Sequence, residues 1–266
     1  MAQYRIDSNN YLADGTTIFE VVMLSDQDGN IINSFGAASN IPIASGAIEG
    51  YAGVHKYGAC FGTNAGTMST VWTASDSAGT ELYDWTYSAG TVTVVSSSGS
   101  DVTEVTVQGL DSNYEFAEET FTLTGTTPTA AGAVNFARVN RAFMRTATNV
   151  GKIHVKRGAT IVTEIGAGFG QTLQCFYTIP AGKTGYLMNL SASASKNQVA
   201  DLFLFQRPFG GAFRVQTTMS LNQSNQQLDY PVPIVLTEKT DIDLRTRGSS
   251  NATVSAEFNI ILVDNA

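Results

Sequence analysis

Residues 166–186, GAGFGQTLQCFYTIPAGKTGY, contain fragments of two nucleotide-binding signatures, a glycine-rich loop and a Gly-Lys-Thr. A phosphate loop needs Gly-x4-Gly-Lys-Ser/Thr at the opening of a helix, whose N-terminus holds the phosphate. Here Tyr177 stands five residues before Gly182, Pro180 removes a backbone amide, and Thr184 leads into an extended run, GYLMNLSASA. The dinucleotide pattern Gly-x-Gly-x-x-Gly fails as well, because Gly166, Gly168 and Gly170 are spaced two apart and no helical run follows. The stretch therefore reads as a strand flanked by two turns. IPAGKT reads as a connection between two antiparallel strands, with Pro180 fixing φ, Gly182 at the permissive position and Lys183 a solvated tip. GAGFG reads as a tight crossing where backbones approach without side chains.

Other reactive residue types fail on spacing. His55 and His154 are 99 residues apart, each in a strand-like setting without an i,i+2 or i,i+4 metal partner. No Gly-x-Ser-x-Gly elbow is present. In SDQDGN, at 25–30, Asp26, Asp28 and Asn30 are spaced like calcium ligands, but Ile31 occupies the place of the required glycine, so a hairpin turn is favoured. Glu118–Glu119 and Asp241/Asp243 are carboxylate pairs. On a strand the latter two share a face, which suits a metal or a glycosidase, although a solvated face is the simpler reading. Trp72, Tyr83, Trp85 and Tyr87 gather in a stretch spaced by glycine and serine. They form either a glycan-stacking platform or, more commonly for such residues, core or interface anchors. No catalytic residue, metal site or cofactor is assigned.

The elements that position these residues read as strands. Turn signals recur every eight to twelve residues between short β-branched or aromatic runs, the rhythm of sandwiches and barrels. Residues 17–24 and 30–35 flank DQDG as a hairpin. A second hairpin spans 102–124, with Val105, Val107, Phe121 and Leu123 alternating with polar neighbours around the turn LDSN. Further strands are expected at 91–97, 152–157, 160–165, 172–179, 184–194, 199–206, 212–219, 240–246 and 253–263. In the last, Val254, Ala256, Phe258, Ile260 and Leu262 form one apolar face, which places it within a sheet. Residues 135–146 (NFARVNRAFMRT) space Phe136, Val139 and Phe143 like a helix, but their β surroundings favour a strand. The fold class is all-β: two β-sandwich or jelly-roll-like domains, 50–150 and 151–266, meeting near 147–151, with an N-terminal arm or subdomain over 1–49.

Composition agrees. Of 266 residues 43% are hydrophobic and only 14% charged, against about 25% in typical globular chains. The polar content is largely Thr, Ser, Asn and Gln, which suits strands and wide protein interfaces. The net charge of −8 argues against a nucleic-acid partner. Residues 1–119 hold fifteen acids and two bases, Arg5 and Lys56, whereas 120–266 hold thirteen bases and eight acids. The simpler reading is two differently solvated domains; the sharper one is that the ends face different neighbours in an assembly, where complementary fields set orientation. Phe136, Arg138, Arg141 and Arg145 include the densest basic group and are the candidate docking residues. Cys60 and Cys175 read as buried thiols. The N-terminus lacks a secretory pattern and no apolar run reaches 18 residues, so neither export nor a membrane partner is expected.

Several whole runs resemble virion structural proteins of tailed bacteriophages, of the head-decoration, cement or fibre type. They are VHKYG (54–58), VW (71–72), VTVVSSS (92–98), VTVQGLDSNY (105–114), ETFTLTG (119–125), GAGFGQTLQCFYTIPAGKTGYL (166–187), LFLFQRPFGGAFR (202–214), TEKTDIDLR (237–245) and VSAEFNIILVDN (254–265). The resemblance implies a non-enzymatic particle protein without active-site residues. It would be made in the host cytoplasm and located in the virion. The implied partners are copies of itself, as a homotrimer, and the major capsid protein or other virion proteins. On the head it would decorate or cement capsomers. On the tail, collar or fibre it would contact a host-surface glycan. A carbohydrate-active β-sandwich enzyme is the expectation from a different class, and would require two carboxylates facing each other in a cleft.

Overall fold

The computed structural model describes residues 40–63, 66–76, 82–195, 197–222, 225–249 and 252–265. The expected hairpin at 17–35, its calcium-like loop and most of the N-terminal arm lie outside the described residues. Internal packing divides the chain into Met1–Glu49 and Gly50–Ala266. In the first unit a short helix, α1, covers Asn40–Ala44.

The second unit is built from strands: β1 (Tyr51–Phe61), β2 (Ser69–Thr70), β3 (Thr93–Ser96), β4 (Glu104–Asp111), β5 (Phe116–Thr122), β6 (Phe136–Met144), β7 (Ile153–Arg157) and β8 (Thr160–Ile165), followed by β9 (Phe176–Thr178), β10 (Lys183–Ala194), β11 (Val199–Arg207), β12 (Arg214–Asn222), β13 (Asn225–Leu236), β14 (Asp241–Gly248) and β15 (Thr253–Asp264). One 3-10 turn covers Thr73–Asp76. The larger sandwich faces sheet β1-β15-β10-β13 against β12-β11-β14-β2, with β9 also paired to β14. Its core takes the alternate residues of each inner face, including Leu187 and Leu190, Leu202 and Leu204, Ile242 and Leu244, and Val254 through Leu262. The expected apolar face of β15 is thus buried, between β1 and β10.

The smaller sandwich sets β3-β7-β8 against β5-β4-β6. Val94, Val105, Val107, Phe121, Phe136, Val139, Ala142, Ile153, Val155 and Ile165 share its core. Val105 stands opposite Phe121, as the expected hairpin requires, and Asp111 Oδ1 closes the turn by accepting from the amides of Asn113 (2.8 Å) and Glu115 (3.0 Å). The boundary expected at 147–151 falls inside this sandwich, since β3 pairs with β7 across it. Two buried side chains pin that segment. Asn149 donates to the carbonyls of Gly151 (2.6 Å) and Gly166 (2.8 Å) and accepts from Gly170 N (2.9 Å). Asp101 accepts from Val150 N (2.7 Å), Gly151 N (2.9 Å) and Ser96 Oγ (2.5 Å). Burial alone would raise the Asp101 pKa, but these three donors outweigh it and hold the carboxyl below its usual range.

Strand β6 explains its helical appearance. Its pairing with β4 skips Asn140 between Arg141 and Val139, and Ala137 between Arg138 and Phe136. Each skipped residue is a β-bulge, and two bulges turn the usual alternation into a three-residue repeat that sends Phe136, Val139 and Ala142 to one core. Gly109 on β4 faces the second stretch. A Cβ there would sit 2.0 Å from the Arg138 carbonyl oxygen, so the close approach requires glycine.

The opening stretch departs from its reading in two ways. β9 and β10 belong to different sheets, so IPAGKT crosses between layers rather than closing a hairpin. Its polar groups bond outward: Lys239 N donates to Ile179 O (2.8 Å), Ala181 N to Tyr114 O (2.9 Å) and Asn265 N to Gly182 O (2.9 Å). Gly182 holds the expected positive φ, 70°. Lys183 is half-buried and ion-paired with Asp264 instead of being a solvated tip.

Candidate functional site

Two cationic regions lie around β6, one closed and one open. The closed one begins with Arg138, which β6 points at β14 of the larger sandwich. Its Nε donates to Asp241 Oδ1 at 3.0 Å and its Nη1 to the Ala137 carbonyl at 2.8 Å. Arg207 Nε reaches Asp241 Oδ2 at 2.8 Å, and Thr178 Oγ1 donates to Oδ1 at 2.6 Å. Two positions along β14, Asp243 accepts from Trp85 Nε1 at 2.9 Å and Arg245 Nε at 2.7 Å. Burial works against the Arg138 charge, but the hydrogen bonds and charge of Asp241 outweigh it and hold the guanidinium above its usual range. Burial likewise raises the Asp243 carboxyl, against the opposing pull of Arg245.

Asp241 and Asp243 share a strand face, as expected, but both are buried and occupied by arginines. They are structural counter-ions, not a hydrolytic pair facing a cleft. Glu119 of the other pair accepts from the amides of Ala133 (2.6 Å) and Val134 (3.2 Å), and Glu118 accepts from Gln108 (3.1 Å). His55 meets Asn259 at 2.7 Å and His154 meets Glu164 at 2.8 Å. Among the described residues no three His, Cys, Asp or Glu side chains gather as a metal site. Cys60 and Cys175 are buried thiols.

The aromatic quartet is core. Trp72, Tyr83 and Trp85 are buried with Phe176, while Tyr87 packs against them. Tyr83 lies 4.1 Å from the Phe176 ring centroid and 4.7 Å from that of Trp85. The Tyr83 and Tyr87 hydroxyls hydrogen-bond each other. Three of the four rings are thus turned away from solvent, where no sugar reaches them. The docking candidates divide too. Phe136 and Arg138 (6% exposed) are interior, whereas Arg141 and Arg145 are exposed, the latter 3.6 Å from Glu104.

The open region is a cleft of about 410 Å³ between β1 and the β4–β6 layer. Lys56, Gln108, Phe116, Asn140, Arg141, Gln171 and Tyr177 line it, among others. Lys56 Nζ donates to the Asn140 backbone carbonyl at 2.6 Å, and Arg141 Nη2 donates to Gln171 Oε1 at 2.8 Å. Gln171 in turn donates to the Tyr57 hydroxyl. Neither cation has a carboxylate within ion-pair distance among the described residues. Burial lowers the Lys56 pKa to about 8; Cys175 opposes the shift and the Arg141 charge adds to it. Asn140, 8% exposed, is one of the two bulge residues of β6, and its Oδ1 has no hydrogen-bond partner among the described residues. Sequence reasoning named Arg141 but missed the others. Lys56 did carry a signal, as one of two bases among the first 119 residues. Asn140 carried none, because its position depends on the bulge.

No protein-family profile matches the chain, and no curated protein does. Among solved structures, one of infectious bursal disease virus Gt strain aligns at 12% identity and a TM-score of 0.19, over 82% of this chain and 78% of that one. The infectious bursal disease virus VP2 subviral particle aligns at 13% identity and 0.21, over 82% and 73%. At such TM-scores the alignments carry no argument about function.

Proposed function

We propose that this chain is a non-enzymatic structural component of a tailed-phage particle. In this reading it sits on the exterior of the head as a decoration or cement protein, binding capsomers and copies of itself as a homotrimer. The observation that carries the reading is where the phage-like runs fall: they build strands and turns of both sandwiches, including β4, β11, β14 and β15. A shared framework, rather than a shared reactive centre, is what particle proteins have in common. Asp241 and Asp243 are buried and held by arginines, and Glu119, nearer the surface, is held by backbone amides.

The means of attachment would be buried area. Val215 on β12, and Val232 (83% exposed) and Val235 on β13, lie on the edge strands of the two sheets of the larger sandwich. Thr217 and Tyr230 bond the two edges together at 3.0 Å. Pro231 and Pro233 sit in β13, where edge strands tolerate missing donors. Exposed Arg141 and Arg145 are the remaining docking candidates from the basic segment. A tail, collar or fibre position is the alternative, favoured by the cationic cleft. Electron microscopy of particles with this chain labelled tests the choice. Regularly placed copies on the head support the reading; copies confined to the tail, or none on the particle, overturn it. Light scattering of the purified chain tests the trimer.

A further inference from the structure

We propose that the cleft between β1 and the β4–β6 layer is a binding site for an acidic sugar, a pyranose that carries a carboxylate. The charge is the first ground. Lys56 and Arg141 face the same space without a carboxylate partner among the described residues, and no Asp or Glu lines the cleft. A pair of like charges left this way favours an anion, and cation–carboxylate hydrogen bonds are the strong kind.

The remaining wall selects among anions. Gln108, Asn140 and Gln171 bring three carboxamides; Gln108 already donates to Glu118, and Gln171 donates to Tyr57 and accepts from Arg141, each amide nitrogen keeping a second hydrogen to offer. Asn140 Oδ1 is a buried acceptor without a partner among the described residues, which favours a ligand rich in hydroxyl donors over a simple carboxylate or inorganic anion. Tyr57, Phe116 and Tyr177 add ring surface suited to the apolar face of a pyranose. A space of about 410 Å³ lies in the range of small-ligand sites. The placement is built into the backbone, since the β6 bulge at Asn140 both turns that residue into the cleft wall and presents the carbonyl that seats Lys56. The inference is independent of whether the protein sits on head or tail.

Calorimetric titration of the full chain with sodium D-glucuronate, D-glucose and sodium acetate, near neutral pH, tests it. Saturable binding of glucuronate is expected, with glucose and acetate each weaker by about tenfold or more. Arg141→Gln, at an exposed position, should lower glucuronate affinity by about tenfold while leaving the thermal midpoint unchanged. Lys56→Met should do the same or more. Absence of glucuronate binding, equal binding of glucose or acetate, or full affinity in Arg141→Gln would each overturn the proposal. An acidic peptide that displaces glucuronate at lower concentration would overturn it in favour of a protein carboxylate.

Discussion

Arg138 and Arg141 stand three residues apart on one strand, yet they meet opposite surroundings. Arg138 is interior and shares Asp241 with Arg207 and Thr178, so it meets its carboxylate within the fold. Among the described residues Arg141 hydrogen-bonds a carboxamide and lies over the Phe143 ring, and its neighbour Lys56 hydrogen-bonds a carbonyl. Asp241 comes from β14 of the larger sandwich; among the described residues no carboxylate pairs with Arg141 or Lys56 on the other side of β6. An ionic cluster in which each arginine meets a carboxylate holds two layers together, whereas one lacking its anion has room for a ligand. Residue type alone does not separate the two.

Breaking the closed side has the largest effect. Asp241→Asn keeps the shape but leaves two arginines around a neutral amide, one of them buried, and should cost about 3–5 kcal/mol in urea denaturation. If it costs less than about 1 kcal/mol, the cluster does not join the sandwiches. Next comes Asp101→Asn, expected to lose about 2 kcal/mol near pH 7 because the charged acceptor of three donors is gone. The folded Asp101 pKa lies below its unfolded value. Its contribution is therefore present above about 3.8 and fades as pH falls through the folded value, so the two stabilities should converge in acid.

The open side predicts the same sign of pH dependence in an alkaline window. Lys56 titrates near 8 when folded against 10.5 for the free group, so the unfolded chain holds the extra proton between those values. Stability should rise with pH across that window by on the order of 2 kcal/mol relative to Lys56→Met, measured as the difference between the two denaturation curves. Arg141, Cys175, His55, Tyr57 and Tyr177 surround the amine, and subtracting the variant isolates the lysine from them. The smallest effect is Arg145→Gln, within about 0.5 kcal/mol, because its ion pair with Glu104 is exposed.

The fold was legible where one face of a strand is buried and the other is not. Val254 through Leu262 in β15, and Val105 with Phe121 in the hairpin, follow that rule. Two strands escaped it. β1 carries Gly53 and Gly58 in place of an apolar stripe, and a Cβ at Gly58 would lie 2.5 Å from the Val71 carbonyl oxygen, so close packing is encoded there by absence. β13 holds two prolines and lies at an edge, where little is buried. β6 hid its strand period behind bulges. The site was less legible than the fold, because Lys56, Asn140 and Gln171 are brought together by pairings and a bulge far apart in sequence. The aromatic quartet carried two readings, a glycan-stacking platform and, as the more common, core or interface anchors; Phe176, distant in sequence, completes the core they form.

The ladder between β1 and β15 runs from Tyr51 opposite Val263 to Phe61 opposite Thr253, and Asp264 N donates to Gly50 O at its outer end. The chain thus enters and leaves the Gly50–Ala266 unit at a single point. Tension applied between Gly50 and Asp264 would part this ladder one residue pair at a time, starting from that point, rather than shearing all its rungs together.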